Sequence, residues 1–257
     1  MQRTESPPLR VDVTPVGYYV DRVVVPIQEH DADRVYILRA RDDDEDLASP
    51  FRTEVIRLLR KWKLKLDIRV VRTDLWTMEA AVETFSAVIR REVQQGNSVW
   101  VNLSTGSKLE AVAAAIACMA HGGQPYYVKM KSYERPALAS PLAEGVDSID
   151  IVPTFGLASP SAGGLATLEL LAQNETGLSK KGLISGLTEL GLIPSDSAGQ
   201  SLQARYARLQ GILDRLADFP ALAVVEGHRR AARVKITERG RLALRIFSPR
   251  EGLSNPT

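Results

Sequence analysis

The sequence predicts an α/β protein with a Rossmann-like parallel sheet domain followed by a small winged helix-turn-helix domain. Over residues 10–153, β-branched runs alternate with segments of helical apolar spacing, which is typical of a parallel sheet covered on both faces. After residue 164 the order becomes three helices, two short strands and a last helix. Small residues and glycines fill positions 154–164. We therefore predict a Rossmann-like domain over 1–153, a linker over 154–164 and a winged helix-turn-helix domain over 165–257.

The elements of the first domain are predicted from short Val- and Ile-rich runs and from apolar stripes. The helix over 78–93 shows the stripe well, since Met78, Val82, Phe85, Ile89 and Val93 share one helical face. Right-handed crossovers between parallel strands then make the sheet Rossmann-like. The predicted strands are 11–16, 34–38, 67–71, 98–103, 125–130 and 149–152, and the other predicted helices are 21–28, 51–62 and 108–121.

The loop between the fourth strand and the fourth helix is the most informative feature of the chain. In an open parallel sheet, ligands bind beyond the carboxyl ends of the strands, where helix N-termini favour anions. Here the loop supplies three hydroxyls, one glycine and a positive charge, so we predict that it binds a phosphate-bearing ligand. Its spacing is neither that of a Walker loop nor that of the three-glycine dinucleotide motif. The alternative is that its hydroxyls only cap the helix. The predicted ligand-binding residues are Ser104, Thr105, Gly106, Ser107 and Lys108.

The loop after the first strand is predicted to meet this loop at the switch point of the sheet. It contains Val16, Gly17, Tyr18 and Tyr19, which we also predict to bind the ligand. Either tyrosine could stack on a nucleobase. The alternative is that the tyrosines pack against the first helix.

Composition restricts the remaining classes of function. The 257 residues are 44% hydrophobic with a net charge of +2, as is ordinary for a globular protein. Cys118 is the only cysteine, so no disulfide framework is expected. The three histidines lack metal-ligand spacing and the acidic run at 42–46 lacks the alternation of an EF-hand loop, so we predict no metal and no cofactor. No signal peptide or membrane-spanning run precedes or interrupts the domains, and we expect a soluble cytoplasmic protein.

The second domain carries the basic residues expected of a DNA-binding domain. Residues 160–257 hold 13 Lys and Arg against 9 Asp and Glu, a net charge of +4. In a winged helix, the third helix enters the major groove while the wing touches phosphates. The alternatives are a solvated basic face or a surface that docks a protein partner. The predicted DNA contacts are Gln203, Arg205 and Arg208 on the third helix, Lys180 and Lys181 at the start of the second, and Arg229 and Arg230 in the wing.

Several motifs together resemble one known family. Pro15-Val16-Gly17-Tyr18 with Asp21-Arg22, the run Asn102 to Lys108, and Pro125-Tyr126-Tyr127-Val128 resemble the CRISPR-associated Rossmann-fold (CARF) domains, above all those of archaeal transcriptional regulators that add a winged helix. The resemblance implies a homodimer whose central pocket, built from residues 16–19 and 104–108, accepts a cyclic oligoadenylate, often the four-membered ring. Some relatives cleave the ring slowly, which would involve Ser104, Thr105 and Lys108.

The resulting hypothesis is a transcriptional regulator that binds cyclic oligoadenylate at a dimer interface and double-stranded DNA through the winged helix. One alternative is a metal-independent ring nuclease that uses the same pocket. Another is an adaptor whose winged helix docks a protein partner. The ligand could also be a different nucleotide.

Overall fold

The computed structural model describes residues 7–40, 48–131, 145–195, 201–218, 220–227 and 231–249. The chain forms two compact units, of which the first runs to Leu157 and the second spans Ala158–Pro249. This boundary lies within the segment predicted as a linker. The second unit's first helix begins at Ala162, also within that segment.

The first unit is built on a six-stranded sheet of order β3-β2-β1-β4-β5-β6. The first five strands are parallel, which confirms the predicted α/β fold with a Rossmann-like sheet. Strand β6 pairs antiparallel with β5, a departure from the wholly parallel sheet that the sequence predicted. The strands are β1 (Arg10–Pro15), β2 (Arg34–Ala40), β3 (Asp67–Thr73), β4 (Ser98–Asn102), β5 (Gln124–Met130) and β6 (Val146–Ile151).

Four helices connect these strands and bury their apolar stripes. Helices α1 and α2 pack on each other, as do α3 and α4, in agreement with right-handed crossovers that place the two pairs on opposite faces. The stripe of α3 is buried from Val82 through Phe85 to Ile89, as its spacing predicts. The helices are α1 (Asp21–Glu29), α2 (Ser49–Trp62), α3 (Met78–Gln94) and α4 (Lys108–His121).

The second unit consists of helices α5 (Ala162–Ala172), α6 (Lys180–Glu189) and α7 (Leu202–Ala217), an antiparallel hairpin of β7 (Ala223–Glu226) and β8 (Arg233–Ile236), and helix α8 (Glu238–Phe247). Each of the four helices begins after a Ser or Thr whose hydroxyl accepts a hydrogen bond from a first-turn N–H. Their apolar faces enclose one core with the hairpin, centred on Leu168, Leu171, Leu183, Leu187 and Leu209.

Neither unit offers a metal cluster or a bilayer span in the ranges described. No group of three or more His, Cys, Asp or Glu side chains there could hold a metal ion. None of the described helices has the length and apolar character that crossing a membrane requires. The acidic run 42–46 lies outside the described residues. Cys118 is buried in α4, and burial raises its thiol pKa to about 12, as suits a small core residue.

Candidate functional site

The β1–α1 and β4–α4 loops meet at the carboxyl edge of the sheet, as the sequence predicts. Strands β1 and β4 are neighbours, and the chain leaves them in opposite directions, toward β2 and toward β5. The Thr105 hydroxyl donates to the Pro15 carbonyl at 2.7 Å, and Thr14 Oγ1 lies 3.3 Å from Thr105 Oγ1. A Cβ placed on Gly17 would lie only 3.5 Å from Gly106 N. The two loops therefore form one continuous surface.

The N-terminus of α4 is capped by Ser107. Its hydroxyl accepts from Glu110 N at 3.2 Å, and the Glu110 carboxylate accepts from Ser107 N at 3.0 Å, which completes a capping box. Burial raises the pKa of the Glu110 carboxyl. The capping alternative is thus correct for the Ser107 oxygen.

Two backbone donors of the first turn of α4 stay available for a ligand. The N–H groups of Lys108 and Leu109 have no partner inside the helix. In the part of the chain that the structure describes, they have no acceptor elsewhere either. The Lys108 side chain is exposed and forms no ion pair with any described residue. These two N–H groups and the Lys108 ammonium group together form a positively charged edge that can bind an anion.

The structure corrects the predicted role of the Thr105 hydroxyl. Thr105 is only 3% exposed, because its side chain turns inward to join the two loops. Ser104 is also engaged, since its Oγ accepts a hydrogen bond from Val128 N on β5. Its hydroxyl proton is still free to donate outward. Gly106 is exposed and has a φ of +77°, a left-handed conformation that favours glycine.

Arg22 and Asn102 lock the loops together, a role that the sequence pattern did not assign to them. Pro26 lacks an N–H, so the Arg22 carbonyl has no helical donor, and Asn102 Nδ2 donates to it at 2.8 Å. Asn102 Oδ1 accepts from Ser104 N at 2.8 Å, and Arg22 Nη1 donates to Ser104 O at 3.0 Å. Pro26 inside α1 is the feature of the sequence that indicates a carbonyl in need of another donor.

The predicted residues of the β1–α1 loop divide into packed and exposed ones. Val16 packs against the core of α1 and α2. The Tyr19 ring lies under the Arg22 guanidinium at 4.6 Å and packs against the core around Tyr126. Tyr18 is 42% exposed and meets Phe51 edge-on. The packing alternative therefore holds for Tyr19, whereas Tyr18 remains open to a ligand.

A buried polar network supports the site from below. Asp12 accepts from the Tyr126 hydroxyl at 2.7 Å and pairs with His30 Nδ1 at 2.9 Å. His30 stacks on Trp100 with ring centroids 4.3 Å apart. Burial, followed by the Asp12 charge, raises the Tyr126 pKa. Tyr126 pairs across the sheet with Asn102, the residue that holds the β4–α4 loop, so the network lies directly beside the site.

Among the described residues predicted to contact DNA, three are exposed, Lys180 is half-buried and Arg205 is buried. Gln203, Arg208 and Lys181 are exposed, and Lys180 Nζ donates to Gln210 Oε1 at 2.6 Å. Arg205 is only 8% exposed and its Nη2 donates to Thr188 Oγ1 at 3.2 Å, so the guanidinium packs between α7 and α6. This placement corrects the prediction that Arg205 faces DNA. Arg229 and Arg230 lie outside the described residues.

Comparisons with known proteins give one family match and several distant structural similarities. A family model described as "HFX_2341_N:-like, N-terminal" matches residues 10–133. No curated protein sequence matches the chain.

The similar solved structures differ widely from this chain in sequence. Csm6 of Enterococcus italicus, bound to cyclic hexa-2'-fluoro-hexa-dAMP, is 6% identical with a TM-score of 0.42, covering 84% of this chain and 56% of that one. Protein VC1899 of Vibrio cholerae is 10% identical with a TM-score of 0.44, covering 92% and 64%. Can2 of Sulfobacillus thermosulfidooxidans, in complex with cyclic tetra-adenylate, is 15% identical with a TM-score of 0.37, covering 89% and 73%. The chain thus spans less than two thirds of the length of the first two.

Proposed function

We propose that this protein is a DNA-binding regulator whose first unit binds a cyclic oligoadenylate, with cyclic tetra-adenylate as the ring to test. The observation that carries the proposal is the pair of unpaired N–H groups at Lys108 and Leu109 beside the exposed Lys108 ammonium. These groups sit at the switch point of a Rossmann-like sheet, where such folds bind ligands.

The ligand's phosphodiesters would lie on the N-terminus of α4. The N–H groups of Lys108 and Leu109 donate to phosphate oxygens, and the helix dipole favours their charge. The hydroxyl proton of Ser104 adds a third donor. Lys108 supplies the opposite charge. Gly106 lets the ligand approach the backbone, because it has no side chain there.

A second copy of the chain would cover the outer face of α4. This helix is apolar on almost every side, and a helix of that kind is normally buried all round. Val112 is nevertheless 50% exposed, and Leu109, Ile116 and Met119 on the same stripe are only partly buried. Because the ligand loop leads directly into α4, a two-fold axis along this face brings two copies of the loop together. A ring of four nucleotides has matching symmetry.

The second unit would act as a winged helix-turn-helix, with α6 and α7 as the helix pair and β7–β8 as the wing. Gln203 and Arg208 lie exposed on α7, where such folds contact the major groove, and Lys181 lies exposed at the start of α6. Ligand binding changes DNA affinity only if the ring prefers one arrangement of the dimer. That arrangement sets the spacing of two DNA half-sites.

Calorimetric titration of cyclic tetra-adenylate tests the ligand proposal. We expect one ring per two chains, and at least tenfold weaker binding to Lys108→Ala, because a charge-assisted contact is worth about 1.5–3 kcal/mol. The matched control is Lys65→Ala, which removes an exposed lysine just before β3, at the opposite edge of the sheet. Equal affinity of wild type and Lys108→Ala would contradict the proposal. Chromatography of the same mixture distinguishes a sensor, which leaves the ring intact, from a ring nuclease.

Titration of a mixed-sequence DNA duplex at several salt concentrations tests the second unit. We expect the logarithm of affinity to fall with the logarithm of salt, and Lys181→Ala to reduce the slope by about 0.9, the value for one phosphate contact. Arg215→Ala is the control, since Arg215 is exposed at the far end of α7. Binding that does not depend on salt, or no binding, would favour the protein-adaptor alternative.

A further inference from the structure

We propose that Tyr127 stacks on a base of the bound nucleotide, an inference that rests on the proposed ligand site. The first support is the register of β5. Tyr126 pairs with Asn102, the last residue of β4, so the residues from Tyr127 to Met130 extend beyond the carboxyl end of β4. There they pair only with β6, with Tyr127 opposite Asp150. This overhang stands beside the β4–α4 loop and forms a wall of the site.

Hydrogen bonds attach the overhang to the ligand loop. Leu103 N donates to Tyr126 O at 2.9 Å, which continues the ladder one residue past β4. One residue further along the loop and two further along β5, Val128 N donates to the Ser104 hydroxyl. Tyr127 lies between these two attachment points. Its position is therefore fixed relative to the residues that we propose hold the phosphates.

The alternation of the strand turns Tyr127 away from the core. Val128 and Met130 are buried in the cluster with Tyr126, whereas Tyr127 is 42% exposed on the other face. The Arg22 guanidinium lies 6.0 Å from the Tyr127 ring centroid and donates through Nη1 to Ser104 O. Tyr127, Arg22 and Ser104 thus form a continuous row from the wall to the loop.

This arrangement favours a ligand that carries a base as well as a phosphate. The α4 N-terminus alone would accept any small anion. An exposed aromatic face on a fixed strand next to it adds a platform for a flat heterocycle, and such stacking is tolerant of base identity. The inference is that Tyr127 makes the site prefer nucleotides over inorganic anions.

The test is calorimetric titration of cyclic tetra-adenylate into Tyr127→Ala and Tyr127→Phe. We expect Tyr127→Ala to bind at least tenfold more weakly and Tyr127→Phe within about twofold of wild type, because phenylalanine keeps the stacking ring. Trp76→Ala is the matched control, since Trp76 is an exposed aromatic after β3, separated from β1 by β2. Thermal unfolding of each variant checks that it is folded.

The outcomes separate this inference from the function on which it rests. If wild type binds the ring, Lys108→Ala weakens binding and Tyr127→Ala does not, the base-stacking role is overturned and the phosphate site stands. If Tyr127→Phe loses as much affinity as Tyr127→Ala, the hydroxyl rather than the ring matters, and stacking is also overturned. If wild type binds no ring at all, the proposed function and the role of Tyr127 fail together.

Discussion

Replacing Glu92 with alanine is expected to lower the free energy of unfolding of the first unit by about 3–5 kcal/mol, the usual cost of breaking a buried ion pair. Glu92 is fully buried in α3. Arg34 Nη1 lies 2.9 Å from both carboxylate oxygens, the Tyr36 hydroxyl donates at 2.5 Å and Asn97 Nδ2 at 2.6 Å. Alanine would leave these three donors without their acceptor, and Arg34, only 14% exposed, would keep only its ion pair with the more exposed Asp67 at 2.7 Å.

Tryptophan fluorescence during urea unfolding measures this loss in the first unit alone, because all three tryptophans, Trp62, Trp76 and Trp100, lie in it. Glu54→Ala is the matched control. Glu54 also pairs with an arginine, Arg57 at 2.6 Å, but on the exposed surface of α2, where ion pairs contribute little. We expect that variant to unfold like wild type. A midpoint for Glu92→Ala close to that of Glu54→Ala would show that the network does not stabilise the unit.

The position of Glu92 shows what the helical pattern can predict and what it cannot. Glu92 is three residues after Ile89, so the stripe itself places it on the buried side of α3. What the pattern cannot supply is the reason a carboxylate is tolerated there, since Arg34 and Tyr36 are more than fifty residues away in the sequence. Local periodicity predicts burial, and only the folded sheet brings the compensating charge.

The candidate site also has features that the sequence predicts and features that it does not. Strand order and crossover rules were enough to predict that the loops after β1 and β4 converge, and Ser107 fits its capping signal. The direction of the Thr105 hydroxyl was not predictable, because its acceptor is the Pro15 carbonyl ninety residues earlier. Arg205 was placed on the wrong side of α7 because the position borders the apolar stripe, and its long side chain folds back to Thr188 on α6.

Gly106→Ala is expected to reduce affinity for cyclic tetra-adenylate at least tenfold and to lower the stability of the first unit by about 1–3 kcal/mol, the range for a side chain forced into left-handed backbone and close contact. A Cβ at Gly106 would lie 2.5 Å from Glu110 Oε2 and 3.0 Å from Pro15 Cβ. Pro15 is held in β1, so the Glu110 carboxylate has to move. That movement breaks its hydrogen bond to Ser107 N and disturbs the cap beside the proposed phosphate donors.

Gly122→Ala is the control that separates the cost of left-handed backbone strain from the cost of the collision with Glu110. Gly122 ends the same helix with a φ of +88°, but a Cβ there meets nothing within 4 Å. Both variants carry left-handed strain, so the extra loss in Gly106→Ala, measured by urea unfolding and by calorimetry, reports the collision at the loop. If the two variants lose the same stability and both bind the ring like wild type, the Glu110 carboxylate moves without disturbing the cap. The expected effect of the collision on the ligand loop would then be contradicted.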